Sequence, residues 1–194
     1  MSTLGLLAFP DMEELDFVGP WEVFAAAAQL RGADRVLCLG ETLDPIRCAK
    51  GLVIVPEARW ADAPPLDVLL VPGGDGRRRQ MTNPAMLAFL HARAPTCKWV
   101  TSVCTGSLVL AAAGLATGKQ VTTHWSRIDE LRTHPVRVRD DVRYVVDGTL
   151  VTAAGVSAGI DMALWLVGQL HDPAFAREVQ RYIQYDPAPP YAEG

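Results

Sequence analysis

Val100-Thr101-Ser102-Val103-Cys104-Thr105-Gly106-Ser107-Leu108-Val109-Leu110-Ala111 decides the fold. Its first half is alternating and β-branched, the pattern of a strand. Its second half is small and aliphatic at helical spacing. Cys104 falls at the joint. A sharp strand-to-helix turn pushes a side chain out towards solvent or substrate. The residue also stands at the positive end of the following helix, where a thiolate is favoured. The expectation is a cysteine nucleophile with a lowered pKa.

Outward from this joint, short apolar runs alternate with helical stretches. Leu4–Phe9, Val36–Leu39, Leu52–Val55, Asp67–Val71, Trp99–Val103 and Gln120–Thr123 read as strands. Val142–Val146 and Thr149–Ala153 flank Asp147-Gly148, a hairpin turn signal. Helices are expected over Pro20–Leu30 (Pro20 in the first turn), Pro84–Ala94, Thr105–Ala113, Ser126–Thr133, Ser157–Leu170 and Ala174–Ile183. Gly114 suits a helix C-cap. The tail Tyr185–Tyr191 is proline-rich and expected to be extended. Alternating strands and helices imply a mostly parallel sheet covered on both faces. Val68-Leu69-Leu70-Val71, apolar throughout, fits a strand buried on both sides. Ligands in such folds sit beyond the carboxyl ends of the strands. The stretch Pro10–Pro20, the turn Gly73-Gly74 and Cys104 all lie at strand ends and are expected to share one edge.

With 194 residues, 49% of them hydrophobic and 21% charged, the chain is expected to form one globular domain over residues 1–194. A net charge of −4 gives no electrostatic footprint for nucleic acid. No apolar stretch reaches the ~18 residues that span a bilayer. The N-terminus carries no signal-peptide pattern, which points to a cytoplasmic setting. Cys38, Cys48, Cys97 and Cys104 are the four cysteines, and neither C-x-x-C spacing nor a histidine cluster suggests a metal. The first three read as packing residues. Arg77-Arg78-Arg79 reads as a solvated loop.

A cysteine nucleophile needs a proton handler and donors for developing negative charge. The N–H groups of Thr105 and Gly74 are candidate donors. Asp16 and Glu22 are candidate proton handlers. The alternatives are that Asp16 caps the helix and that Glu22 answers its dipole. His124, at a strand end, is a general base or an orienting residue. Gly155-Val156-Ser157-Ala158-Gly159 matches the serine-hydrolase elbow G-x-S-x-G. Asp161 and His171 follow on the same helix, too close for a triad, and Ser157 reads as an N-cap.

Taken together, Leu15-Asp16-Phe17-Val18-Gly19-Pro20-Trp21-Glu22, Val71-Pro72-Gly73-Gly74, Ser102-Val103-Cys104-Thr105-Gly106-Ser107, Thr122-Thr123-His124-Trp125 and Thr152–Asp161 resemble the ThiJ/PfpI superfamily. Within it they are similar to the isonitrile hydratase branch. The resemblance implies a flavodoxin-like three-layer α/β/α sandwich, akin to class I glutamine amidotransferases. It implies a homodimer, a small-molecule substrate, and neither metal nor organic cofactor. It makes Cys104 the nucleophile, Asp16 its acid/base partner and Thr105 a contributor beside it, with Gly73 and Gly74 in the oxyanion loop. Protease-like relatives carry a histidine directly after the cysteine. Thr105 stands there instead, which argues against a peptidase. Sensor domains of transcription regulators look similar, but a regulator would need an appended DNA-binding domain, which is not expected here. Isonitrile hydration is therefore expected. A redox sensor, a glyoxalase-like activity or a small amidase are the alternatives.

Overall fold

The computed structural model describes residues 1–190, so Tyr191 of the expected extended tail lies outside it. Five parallel strands carry the site. They are β1 (Thr3–Leu7), β2 (Arg35–Gly40), β6 (Val68–Val71), β7 (Trp99–Ser102) and β11 (Leu150–Ala153). Between β2 and β6 lie a two-stranded hairpin of β3 (Ile46–Arg47) and β4 (Val53–Ile54), then the short β5 (Ala58–Arg59). Later, β8 (Gln120–Val121) pairs with β9 (Arg137–Val138), and β10 (Tyr144–Asp147) forms an antiparallel hairpin with β11. The main sheet runs β10-β11-β7-β6-β1-β2-β5, parallel except for β10.

The helices are α1 (Glu14–Arg31), α2 (Arg77–Gln80), α3 (Pro84–Arg93), α4 (Gly106–Ala112), α5 (Ile128–Leu131), α6 (Ala158–Leu170) and α7 (Pro173–Tyr182). Helices α1, α6 and α7 pack on one another, with α1 against β1 and β2 and α6 against β11, while α4 packs on β6 and β7. All four residues of β6 are buried, as an apolar run covered on both faces must be. Together these features give the flavodoxin-like α/β architecture that the sequence implies. Among the described residues no helix is long and apolar enough to cross a membrane.

Several boundaries move. Helix α1 begins at Glu14, so Pro20 lies in its interior rather than in its first turn. Proline has no N–H to give the carbonyl of Asp16. The helix continues because Pro20 is buried in the core layer that α1 shares with α6. Asp16 therefore sits inside the first turn and does not cap the helix; Glu13 occupies that place, without a side-chain cap bond. The expected strand 120–123 shrinks to two residues outside the main sheet. The expected helix 126–133 becomes a 3₁₀ turn, Trp125–Arg127, followed by α5. The arginine run forms α2.

Candidate active site

The turn from β7 into α4 places Cys104 in the left-handed region, at φ 55°. Its N–H donates to the carbonyls of Ala153 and Ala154, at 3.1 and 2.8 Å. Its own carbonyl accepts from the hydroxyls of Thr123 at 3.0 Å and Ser107 at 3.2 Å. The elbow is thus fixed from both sides by neighbouring elements.

The elbow does not push Cys104 into solvent: the residue is 6% exposed. Its thiol is pushed up to about 12, mainly by burial and then by the charge of Asp16. The N–H groups of Thr105 and Val156 and the Thr105 hydroxyl pull it down, less strongly. This corrects the expected low-pKa thiolate. Desolvation outweighs the dipole of α4, a helix of only seven residues.

Asp16 is fully buried, and one carboxylate oxygen accepts the Gly73 N–H at 2.9 Å. The other oxygen has no hydrogen-bond partner among the described residues, and the Cys104 thiol lies close enough to the carboxyl to influence its charge. The carboxyl is pushed up to about 7, by burial first. The Gly73 N–H works against that shift, Glu13 adds to it, and the Cys104 thiol opposes it. A carboxyl titrating near neutrality beside a neutral thiol can take and return a proton at working pH. Gly73 is required by close approach, since a Cβ there would lie 2.5 Å from the nitrogen and hydroxyl oxygen of Thr105.

A cleft of about 190 Å³ opens over Cys104, its walls including Thr105, Gly74, Arg77, His124 and Val156, with Asp16 buried outside its lining. The expected donor from Gly74 is already engaged, since its N–H donates to the Thr105 hydroxyl at 3.0 Å. Val156 supplies the second donor towards the sulfur instead. It sits at φ 30°, a strained value for a β-branched residue. Nothing in its residue type marks it, and only the match to an elbow pattern at 155–159 draws attention to that turn.

His124 lines the cleft, and its Nδ1 accepts the Ser126 N–H at 3.3 Å. An accepting Nδ1 leaves the ring proton on Nε2. Burial, and next Arg127, lower the pKa of the ring. His124 therefore stands as a neutral N–H donor, and it makes no hydrogen bond to Cys104. Glu22 is exposed on α1 and absent from the cleft walls. Phe17 and Trp21 stack on each other at 5.5 Å, also away from the cleft.

The serine elbow resolves differently. Ser157 is exposed, and its hydroxyl accepts from Arg143, which also holds Asp161. His171 pairs with Asp34 at 2.7 Å. Ser157 occupies the N-cap position of α6, as expected, but its side chain makes no cap bond. Among the described residues no three His, Cys, Asp or Glu side chains gather to hold a metal ion.

Comparison with known proteins gives the arrangement its relatives. The DJ-1/PfpI family profile matches residues 3–169. The isonitrile hydratase of Pseudomonas putida is 42% identical over 192 residues, covering 98% of this chain and 82% of that protein. The crystal structure of a ThiJ/PfpI family protein from Pseudomonas syringae superposes with a TM-score of 0.92 at 38% identity, covering 100% of this chain and 78% of the other. Drosophila melanogaster DJ-1beta shares the fold, with a TM-score of 0.85 at 24% identity over 96% of this chain and all of its own. The chain belongs to the DJ-1/PfpI family.

Proposed function

We propose that this DJ-1/PfpI-family protein is an isonitrile hydratase, converting R–NC and water to R–NH–CHO. The observation that carries the reading is the buried pair of a neutral Cys104 thiol and an Asp16 carboxyl titrating at about 7. The similarity to the Pseudomonas putida enzyme supports it.

As the Cys104 sulfur attacks the terminal isonitrile carbon, Asp16 carboxylate accepts the thiol proton and hands it to that carbon. The product is a thioimidate, R–N=CH–S–Cys. The N–H groups of Thr105 and Val156 hold the sulfur while charge builds on it. Asp16 then takes a proton from a water that adds to the thioimidate carbon. Asp16 returns that proton to the nitrogen, the carbon–sulfur bond breaks, and the formamide leaves as the proton of the added hydroxyl passes to the sulfur. His124 Nε2–H is a donor for the nitrogen or oxygen of these intermediates. The Gly73 N–H keeps Asp16 aimed, and the Gly74 N–H fixes the Thr105 hydroxyl.

A thiol held neutral and 6% exposed at rest disfavours the sensor reading, because oxidation follows thiolate character and access. Four free cysteines support a reducing, cytoplasmic setting. A homodimer is part of the same reading. Leu15 and Val18 of α1 and Leu52 and Val53 of the adjoining hairpin leave apolar surface exposed. Light scattering is expected to give twice the mass of one chain.

The deciding assay follows the loss of alkyl and aryl isonitriles with formamide appearing. Turnover that needs Cys104 supports the proposal. Turnover of none of them, with activity on a dicarbonyl or an amide, replaces it by the glyoxalase-like or amidase alternative.

A further inference from the structure

Arg77 opens α2 and is 1% exposed. A buried guanidinium needs partners for five N–H donors. Its Nη2 donates to Glu130 at 2.5 Å, which ties α2 to α5, and Arg77 also lines the cleft. Nε and Nη1 have no partner among the described residues. These two nitrogens carry three of the five donors. A buried donor left unserved is destabilising. Neither nitrogen is solvent-accessible at rest, so a group in the cleft reaches them only as the Arg77 side chain, which lines that cleft, turns towards it.

The charges around the cleft favour an anion there. Glu13 is paired with Lys50, Asp75 lies 3.9 Å from Arg78, and Glu130 answers Arg77. Arg127 lines the same cleft, half-buried, with no ion pair among the described residues. Arg127 thus stands without an ion pair beside an under-served guanidinium, and Asp16 under Cys104, titrating at about 7, offsets that charge only in part at neutral pH. That balance suits a single negative charge. A planar carboxylate fits both the charge and a space of about 190 Å³.

We propose that Arg77 and Arg127 form an anion-binding wall of the Cys104 cleft that selects substrates carrying a carboxylate. This rests on the reading of the cleft as a reaction site; with an isonitrile hydratase, the substrate class becomes isonitriles that bear a carboxylate.

Iodoacetate and iodoacetamide are matched in size and differ in charge, so their relative rates of alkylating Cys104 test the wall without isonitrile turnover. Peptide mass spectrometry reads the modification at Cys104, with free cysteine in the same buffer as reference. The iodoacetate-to-iodoacetamide ratio is expected to exceed the reference by about tenfold or more, the scale of one charge-assisted hydrogen bond. It should fall towards the reference in Arg127→Gln, in Arg77→Gln and in high salt. Arg127→Gln keeps the test valid if the buried Arg77 variant fails to fold. A ratio at or below the reference, a ratio unchanged in Arg127→Gln, or no labelling by either reagent overturns the wall. A second arm compares KM for an isonitrile with and without a carboxylate on the same skeleton. Turnover of neutral isonitriles without an iodoacetate preference sinks the wall and spares the hydratase. An iodoacetate preference without turnover of any isonitrile supports the wall and sinks the hydratase.

Discussion

Two adjacent parallel strands, β7 and β11, end in similar turns. Each leads through a residue at positive φ into a helix, with Cys104 at 55° after β7 and Val156 at 30° after β11. Both carry small residues that let the helix approach closely, and both look like nucleophile elbows in sequence. The first turn presents a side chain to the cleft. The second presents a backbone N–H, aimed at the sulfur of the first. Neighbours create the difference. Cys104 has Asp16 behind it, whereas Ser157 faces out and is taken by Arg143. An elbow is therefore a way of aiming a group, and what it aims depends on the element packed against it.

The largest effect that would break this contrast lies in the nucleophile. Cys104→Ala is expected to lower isonitrile hydration by at least about a thousandfold in kcat, the scale of losing a covalent catalyst. Retained formamide production would shift chemistry away from the β7 turn. Next is Asp16→Asn, expected to cost about 10²–10⁴-fold. In the wild type, kcat/KM should rise as pH passes upward through about 7, where Asp16 becomes a carboxylate; the variant should lack that limb. Stability should move the other way. A carboxyl raised from 3.8 to about 7 favours the fold fully below its unfolded pKa. That contribution is lost as pH climbs through about 7. Urea titrations should therefore show wild type weakening across this window relative to Asp16→Asn.

The helix approaches sharpen the contrast in stability. A Cβ on Gly106 would meet the Val71 carbonyl oxygen at 2.1 Å, whereas on Gly159 it would meet a Val103 methyl at 2.9 Å. Backbone cannot yield as a methyl can. Gly106→Ala is expected to unfold the protein or cost more than ~3 kcal/mol, and Gly159→Ala about 1–3 kcal/mol. Equal losses by thermal denaturation would mean that the two turns are built alike. The smallest effect is expected from Ser157→Ala, within about twofold in kcat/KM and ±0.5 kcal/mol in stability. A large loss of activity would restore the serine elbow.

Where residue type alone dictated structure, the sequence could be read. The apolar run 68–71 had to be a covered strand, and the strand-to-helix switch at Cys104 had to be a turn. The meeting of Asp16, Gly73 and Cys104 followed from ligand sites lying beyond parallel strands. Charge state was not readable from local pattern. The dipole of α4 is a local feature, but the burial that outweighs it comes from elements distant in sequence. Arg77 looked like surface because arginine usually is; Glu130, fifty-three residues away, draws it inward. Val156 contributes through its main chain, so no side-chain signature exists to find. Pro20 misplaced the start of α1 because the cost of a proline inside a helix is offset by core packing that a local pattern does not reveal.

The hydrogen bond from Gly73 to Asp16 doubles as a reporter. An amide proton shared with a carboxylate is deshielded as that carboxylate ionises. The Gly73 cross-peak in a nitrogen–proton correlation spectrum should therefore titrate with Asp16 itself, free of substrate and of any assumption about chemistry. A midpoint near 7 would record the charge of the buried carboxyl directly. The same peak, followed as small molecules are added, would reveal which of them reach the floor of the cleft.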